Sequence, residues 1–194
     1  MTDDETHWIA RAGAGDANAF RRLVEAHSAA LFRLCARITG DKATAEDAVQ
    51  DAFFNAFRHL RDFDGRAAFS TWLHRIAVNA ALEQLRRRGR GGIVVPDDHD
   101  DHDDGDLIGD AIDAGAGPER HVRSGEIRRD IETQLARMST LERTAFVLRH
   151  HEGCSLEEIS ATLSLDIGPC KQAIFRAVHK LRAALEPLAP ESPG

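Results

Sequence analysis

The chain has 194 residues, 42% hydrophobic and 29% charged, with a formal charge of −7. That is enough apolar chain for one large domain or two small ones, and it excludes collagen, low-complexity disorder and small disulfide scaffolds. Cys35, Cys154 and Cys170 form no C-x-x-C pair, no apolar run approaches the ~18 residues of a membrane span, and Asp3, Asp4 and Glu5 stand where a secretory leader is basic; a cytoplasmic protein without disulfides, structural zinc or membrane insertion is expected.

Along the chain, Asp16 is placed to cap a helix carrying Ala19, Phe20, Leu23 and Val24 at helical spacing. Thr44-Ala45-Glu46-Asp47 is a capping signal before a second helix, whose Val49, Phe53 and Phe57 are expected to face the core. Asp62-Phe63-Asp64-Gly65 breaks the pattern. A long helix follows from about Phe69, with Leu73, Ile76, Ala77, Ala80 and Leu85 on one face; it closes on Arg86-Arg87-Arg88 before the glycines from Gly89 to Gly92. Trp72, between Thr71 and Leu73, reads as a packing residue, a role in strand melting being the alternative.

The charge is unevenly distributed. Residues 1–92 hold 14 basic and 12 acidic side chains, residues 118–194 hold 11 of each, and residues 93–117 hold nine aspartates against no Lys or Arg. This segment, poor in aromatics, reads as an unstructured acidic linker. Ile93-Val94-Val95 is too short to build a sheet. His99 and His102 sit among aspartates, but a flexible tether gives metal ligands no supporting shell, so no metal site is expected.

Beyond the linker, Ser139-Thr140-Leu141-Glu142 and Ser155-Leu156-Glu157-Glu158 are two capping boxes, the first helix running toward Gly153. Ser164-Leu165-Asp166 forms a turn, and Asp166 is placed to cap a longer helix with Ile167, Cys170, Ile174, Val178, Leu181 and Leu185 as its apolar stripe. Short helix, tight turn and longer basic-faced helix describe a helix-turn-helix, although an ordinary helical hairpin satisfies the same pattern. The expected fold is all-α: a helical domain over 1–92, the linker over 93–117 and a helix-turn-helix domain over 118–194. No Ser-His-Asp order, P-loop or H-E-x-x-H motif appears, so neither an enzyme nor a cofactor is expected.

Thr44-Ala45-Glu46-Asp47-Ala48-Val49-Gln50-Asp51-Ala52-Phe53 resembles the D-A-E-D-x-x-Q-E-x-F helix of bacterial sigma factors. Phe69-Ser70-Thr71-Trp72-Leu73-His74-Arg75-Ile76-Ala77-Val78-Asn79-Ala80 resembles the next helix of the same domain, and the stretch from Leu141 to Ala177 is similar to the sigma domain that reads the −35 promoter element. With those two domains alone, the chain resembles an extracytoplasmic-function (ECF) sigma factor.

The resemblance implies binding to core RNA polymerase, to duplex −35 DNA and to the melted −10 strand, with an anti-sigma factor as a further partner. Position by position it implies that Glu46, Asp47, Gln50 and Asp51 contact polymerase and that Phe63 and Asn79 line the pocket for a flipped −10 base; Arg75, Arg86, Arg87 and Arg88 read as phosphate contacts, with a solvated, dipole-favoured helix end as the alternative. It likewise implies that Lys171, Gln172, Phe175 and Arg176 face −35 DNA. Pro169 stands where the family usually has Thr or Ala, and Ala173 and Val178 where Arg is frequent, so lost DNA contacts are expected at the last two. The alternative is a stand-alone helix-turn-helix regulator of duplex operators, which has no use for the acidic helix and base-capturing loop of the first domain.

Overall fold

The computed structural model describes residues 3–89, 133–135 and 137–185. The linker, Ile93-Val94-Val95, His99 and His102 lie outside the described residues. Among the described residues all regular structure is helical: α1 (Asp3–Gly13), α2 (Ala17–Thr39), α3 (Lys42–His59) with a 3-10 turn (Leu60–Asp62), and α4 (Phe69–Arg87). Then come α5 (Thr140–Phe146), continued by a π-helical turn (Val147–His151), α6 (Leu156–Leu163) and α7 (Ile167–Leu185).

Local chemistry sets most of these boundaries. Asp16 caps α2, its Oδ1 accepting from the Asn18 and Ala19 amides at 2.8 and 3.2 Å, and its bond with Arg11 holds the carboxyl below the usual range. Gly40 ends α2 at φ 67°, its amide bonded to the Ala36 carbonyl. α3 therefore begins at once, and its cap is Asp41 rather than Thr44: Asp41 Oδ1 accepts from the Thr44 amide at 2.8 Å, while Thr44 is buried and turns its hydroxyl back onto the same carboxylate. α1 was not expected, because Trp8, Ile9 and Ala12 are too few to announce a helix. It is held tertiarily, by Ala12 in the core and by Glu5 Oε1 lying 2.8 Å from His27 Nε2.

The core face of α3 also differs from expectation. Its fully buried apolar residues are Ala45, Ala48, Ala52 and Ala56. This seam of small side chains lets the backbone approach α2 and α4, whose Leu31, Leu34, Ile38, Leu73 and Leu85 fill the shared interior. Val49 and Phe53 are displaced to the half-buried margin. Phe57 is left 47% exposed, its ring edge-on to Phe20 at 5.0 Å.

In the second half, both capping boxes form. Ser139 Oγ accepts from the Glu142 amide while Glu142 returns a carboxylate oxygen to the Ser139 amide, and Ser155 and Glu158 repeat the exchange. α6 stops at Ser164, in the left-handed region at φ 55°, and α7 starts three residues later. Leu135, Met138, Phe146, Ala177, Val178 and Leu181 form a cluster of their own that seats α7 on α5.

The two groups of helices pack directly on one another. Leu141, Ala145, Val147, Leu148, Ile159 and Leu163 share one buried cluster with α2 and α4. Arg143 is buried beside Gly40, where an added Cβ would come within 3.1 Å of its Nη1, so Gly40 is fixed both by its backbone angle and by this approach. Cys35, Cys154 and Cys170 are free thiols; burial pushes Cys35 up to about 12 and raises the other two, so all three serve as small apolar packers.

Candidate functional site

α7 places Lys171, Gln172, Phe175 and Arg176 at i, i+1, i+4 and i+5, which is one side of a helix. Lys171 is exposed and Phe175 is 54% exposed, the latter in company with Phe54 at 62% and Phe57 at 47% on α3. Gln172 and Arg176 are half-buried and border a shallow cleft with Ser139, Glu142 and Pro169. Ala173 and Val178, expected as sites of lost DNA contact, are buried, at 4% and 9% exposure. They belong to the packed side of α7, so arginines absent from these two positions subtract nothing from its outward face. Lys180 anchors the helix, its Nζ donating to Glu142 Oε1 and Oε2 at 2.8 and 2.6 Å. Burial pushes Glu142 up, but the bonds from Lys180 and the Ser139 amide outweigh it, and the group stays a carboxylate.

The first half carries a second surface. Thr71, Arg75 and Asn79 are all exposed at i, i+4 and i+8, a ridge along α4. Phe63, half-buried in the preceding loop, closes an aromatic cluster at the start of that helix, with ring centroids 5.6 Å from Phe69 and 5.2 Å from Trp72. Trp72 packs against Phe69 in turn, at 5.6 Å. Asn79 lies ten residues beyond Phe69, about 15 Å along the helix axis, so Phe63 and Asn79 bracket the ridge rather than touch.

The second group of helices lies over the edge of this ridge. Arg75 Nη2 donates to the Ala161 carbonyl at 3.2 Å, spending one of its donors on α6. Glu152 sits between His74 Nδ1 at 3.1 Å and Arg37 Nη1 at 3.8 Å, and chiefly the His74 bond holds its carboxyl below the usual range.

The α3 carboxylates are less free than a solvated acidic face would be. Glu46 and Gln50 are exposed, Glu46 lying 3.8 Å from Lys42. Asp47 Oδ2 accepts from Arg88 Nη2 at 2.8 Å. Asp51 Oδ2 accepts from Gln84 Nε2 at 2.7 Å and lies 3.8 Å from Arg87 Nη1. Arg88 Nη1 donates to Thr44 Oγ1 at 2.7 Å and Asp41 Oδ1 at 3.1 Å, while Arg86 and Arg87 both pair with Glu83. Residues assigned to two different surfaces are thus partners. Asp41, Gln84 and Glu152, which complete these contacts, carry no local signal, and Thr44 signals only a cap; the folded α3–α4 and interdomain packing brings them in. Among the described residues no group of three His, Cys, Asp or Glu is placed to hold a metal ion, and no helix is long and apolar enough to cross a membrane.

A helix-turn-helix unit beside a helical unit that carries an acidic helix and an arginine-ended one defines the architecture of a promoter-reading transcription subunit. Residues 23–91 match the family model described as Sigma-70 region 2 and residues 128–181 the one described as Sigma-70, region 4. The RNA polymerase sigma-H factor of Pseudomonas aeruginosa is 34% identical over 192 residues, 98% of each chain, and the ECF RNA polymerase sigma factor SigW of Bacillus subtilis is 31% identical over 179 residues, 90% of this chain and 92% of that one. Among solved structures, CnrH in complex with the cytosolic domain of CnrY superposes with a TM-score of 0.61 at 27% identity, covering 96% of this chain and all of that one. The fold is shared with the sigma factor RpoE of Bartonella quintana, solved with the anti-sigma factor NepR, at a TM-score of 0.60 and 23% identity over 86% of this chain and 96% of that one. The chain belongs to the ECF sigma factors, and as one of them it binds core RNA polymerase and directs promoter-specific transcription initiation.

Proposed function

We propose that α3 docks on core polymerase through Glu46, Asp47, Gln50 and Asp51, that Phe63 and Asn79 receive an unstacked −10 base, and that Arg75, Arg86, Arg87 and Arg88 hold the phosphates around it. Lys171, Gln172, Phe175 and Arg176 read the −35 element. The chain performs no chemistry of its own; catalysis belongs to the polymerase, and the work is done in the cytoplasm. Its units correspond to residues 1–92 and 118–194, joined by the acidic segment 93–117. An anti-sigma factor is its natural inhibitor, a reading supported by the likeness to CnrH, which was solved with a partner bound.

The exposed Phe175 beside Lys171 carries this reading. A ring exposed on a helix-turn-helix recognition helix suits the methyl-bearing edge of thymine in a major groove, and the lysine suits phosphate or guanine. Two readers on one promoter stand more than one helical turn apart, about 34 to 36 Å. The direct packing of α6 on α4 is therefore an arrangement of the unengaged chain, and Arg75 leaves Ala161 when DNA arrives. Footprinting of the holoenzyme tests the assignment. Lys171→Ala with Phe175→Ala is expected to lose protection over the −35 element while protection over −10 persists; unchanged −35 protection contradicts it.

A further inference from the structure

Two of the proposed polymerase-docking carboxylates, Asp47 and Asp51, lie against two of the proposed DNA-facing arginines, Arg88 and Arg87. Arg88 reaches from the end of α4 across the first turns of α3. Its Nη2 is held by Asp47 at 2.8 Å, and its Nη1 by Thr44 and Asp41 at 2.7 and 3.1 Å. Asp51 accepts from Gln84 at 2.7 Å, whereas Arg87 lies 3.8 Å from Asp51 and keeps its hydrogen bond with Glu83 at 3.2 Å. The side chains of Arg88 and Asp47 are 35% and 49% exposed, so the pair stands at the surface, where exchange of one partner for another costs little.

Resting on the assignments above, we propose that Asp47 masks Arg88 in the unbound chain, and that a basic polymerase surface, by claiming this carboxylate, hands the arginine to a DNA phosphate. Nη1 of Arg88 stays on Thr44 and Asp41 as a pivot while Nη2 is freed. The charges balance at each stage: the carboxylate exchanges one cation for another, and the arginine exchanges carboxylate for phosphate. DNA affinity thereby rises only where polymerase is already bound, and a chain of net charge −7 need not bind DNA alone.

The test uses the full chain without polymerase and a fluorescein-labelled oligonucleotide, by anisotropy at low salt. Glu46→Gln removes one charge from the same helix away from the arginines and measures the plain electrostatic effect. Asp47→Asn is expected to tighten DNA binding about three-fold more than Glu46→Gln, and in an Arg88→Ala background the two are expected to be equal. Equal effects in the native background, an Asp47→Asn effect that survives Arg88→Ala, or weaker binding by Asp47→Asn overturns the masking. Core polymerase affinity of the same Asp47→Asn chain separates this from the docking assignment. Arg88-dependent tightening with native polymerase affinity removes polymerase as the unmasking partner; lost polymerase affinity without excess tightening keeps the docking and overturns the exchange.

Discussion

Reversing both charges, Asp47→Lys with Asp51→Lys, is expected to weaken core polymerase binding by about 3 kcal/mol or more, roughly a hundred-fold, since each removes a carboxylate and places a like charge against a basic docking surface. The fold survives. Both side chains are nearly half exposed, and the pairs they lose, Asp47 with Arg88 and Asp51 with Gln84 and Arg87, are surface pairs worth at most about 1 kcal/mol each. Circular dichroism and the melting curve separate the two effects: helical content is unchanged and the midpoint falls by a few degrees, while holoenzyme is no longer formed at native concentrations. Native affinity in the double variant places polymerase elsewhere.

Asn79→Ala is expected to cost open-complex formation on duplex promoters by about 1 to 3 kcal/mol, five- to over a hundred-fold, with polymerase binding unaffected. Asn79 is exposed in the middle of α4, where alanine is the better helix former, so this variant gains rather than loses stability. Phe63→Ala makes a poorer probe, because the ring packs on Phe69 and Trp72 and its removal loosens the aromatic cluster as well as the base contact. On a template already melted across −10 the unstacking cost is absent and the amide contact alone is lost, so the Asn79→Ala defect shrinks. An equal defect on both templates assigns Asn79 to general DNA contact.

The sequence was most legible where structure is local. Ser139 with Glu142 and Ser155 with Glu158 sit three residues apart and form the two boxes that open α5 and the first helix of the helix-turn-helix, and the Phe69 start of α4 follows from the Asp62 to Gly65 break. It was least legible where a neighbour decides. Thr44 looks like a cap until Gly40 ends α2 early and leaves Asp41 as the stronger candidate. Phe53 and Phe57 look like core until α3 is pressed so close to α2 and α4 that only alanines fit between them. Ala173 and Val178 stand where the family frequently has Arg and so look like lost DNA contacts, yet they are buried against residues more than thirty positions away, Glu142 and Met138 among them. The acidic run on α3 was readable as a charged surface, but the pairing of Asp47 with Arg88, 41 residues away, was not, since the two meet only through the α3–α4 hairpin.

Run-off transcription with purified core polymerase, in the presence and absence of this chain, on templates differing only in their −35 and −10 sequences, tests the account most directly. Specific transcripts are expected only when the chain is added, falling with changes at −35 and disappearing with changes at −10. Transcripts indifferent to the chain, or duplex DNA bound specifically by the chain with no effect on initiation, would contradict the reading of its two surfaces.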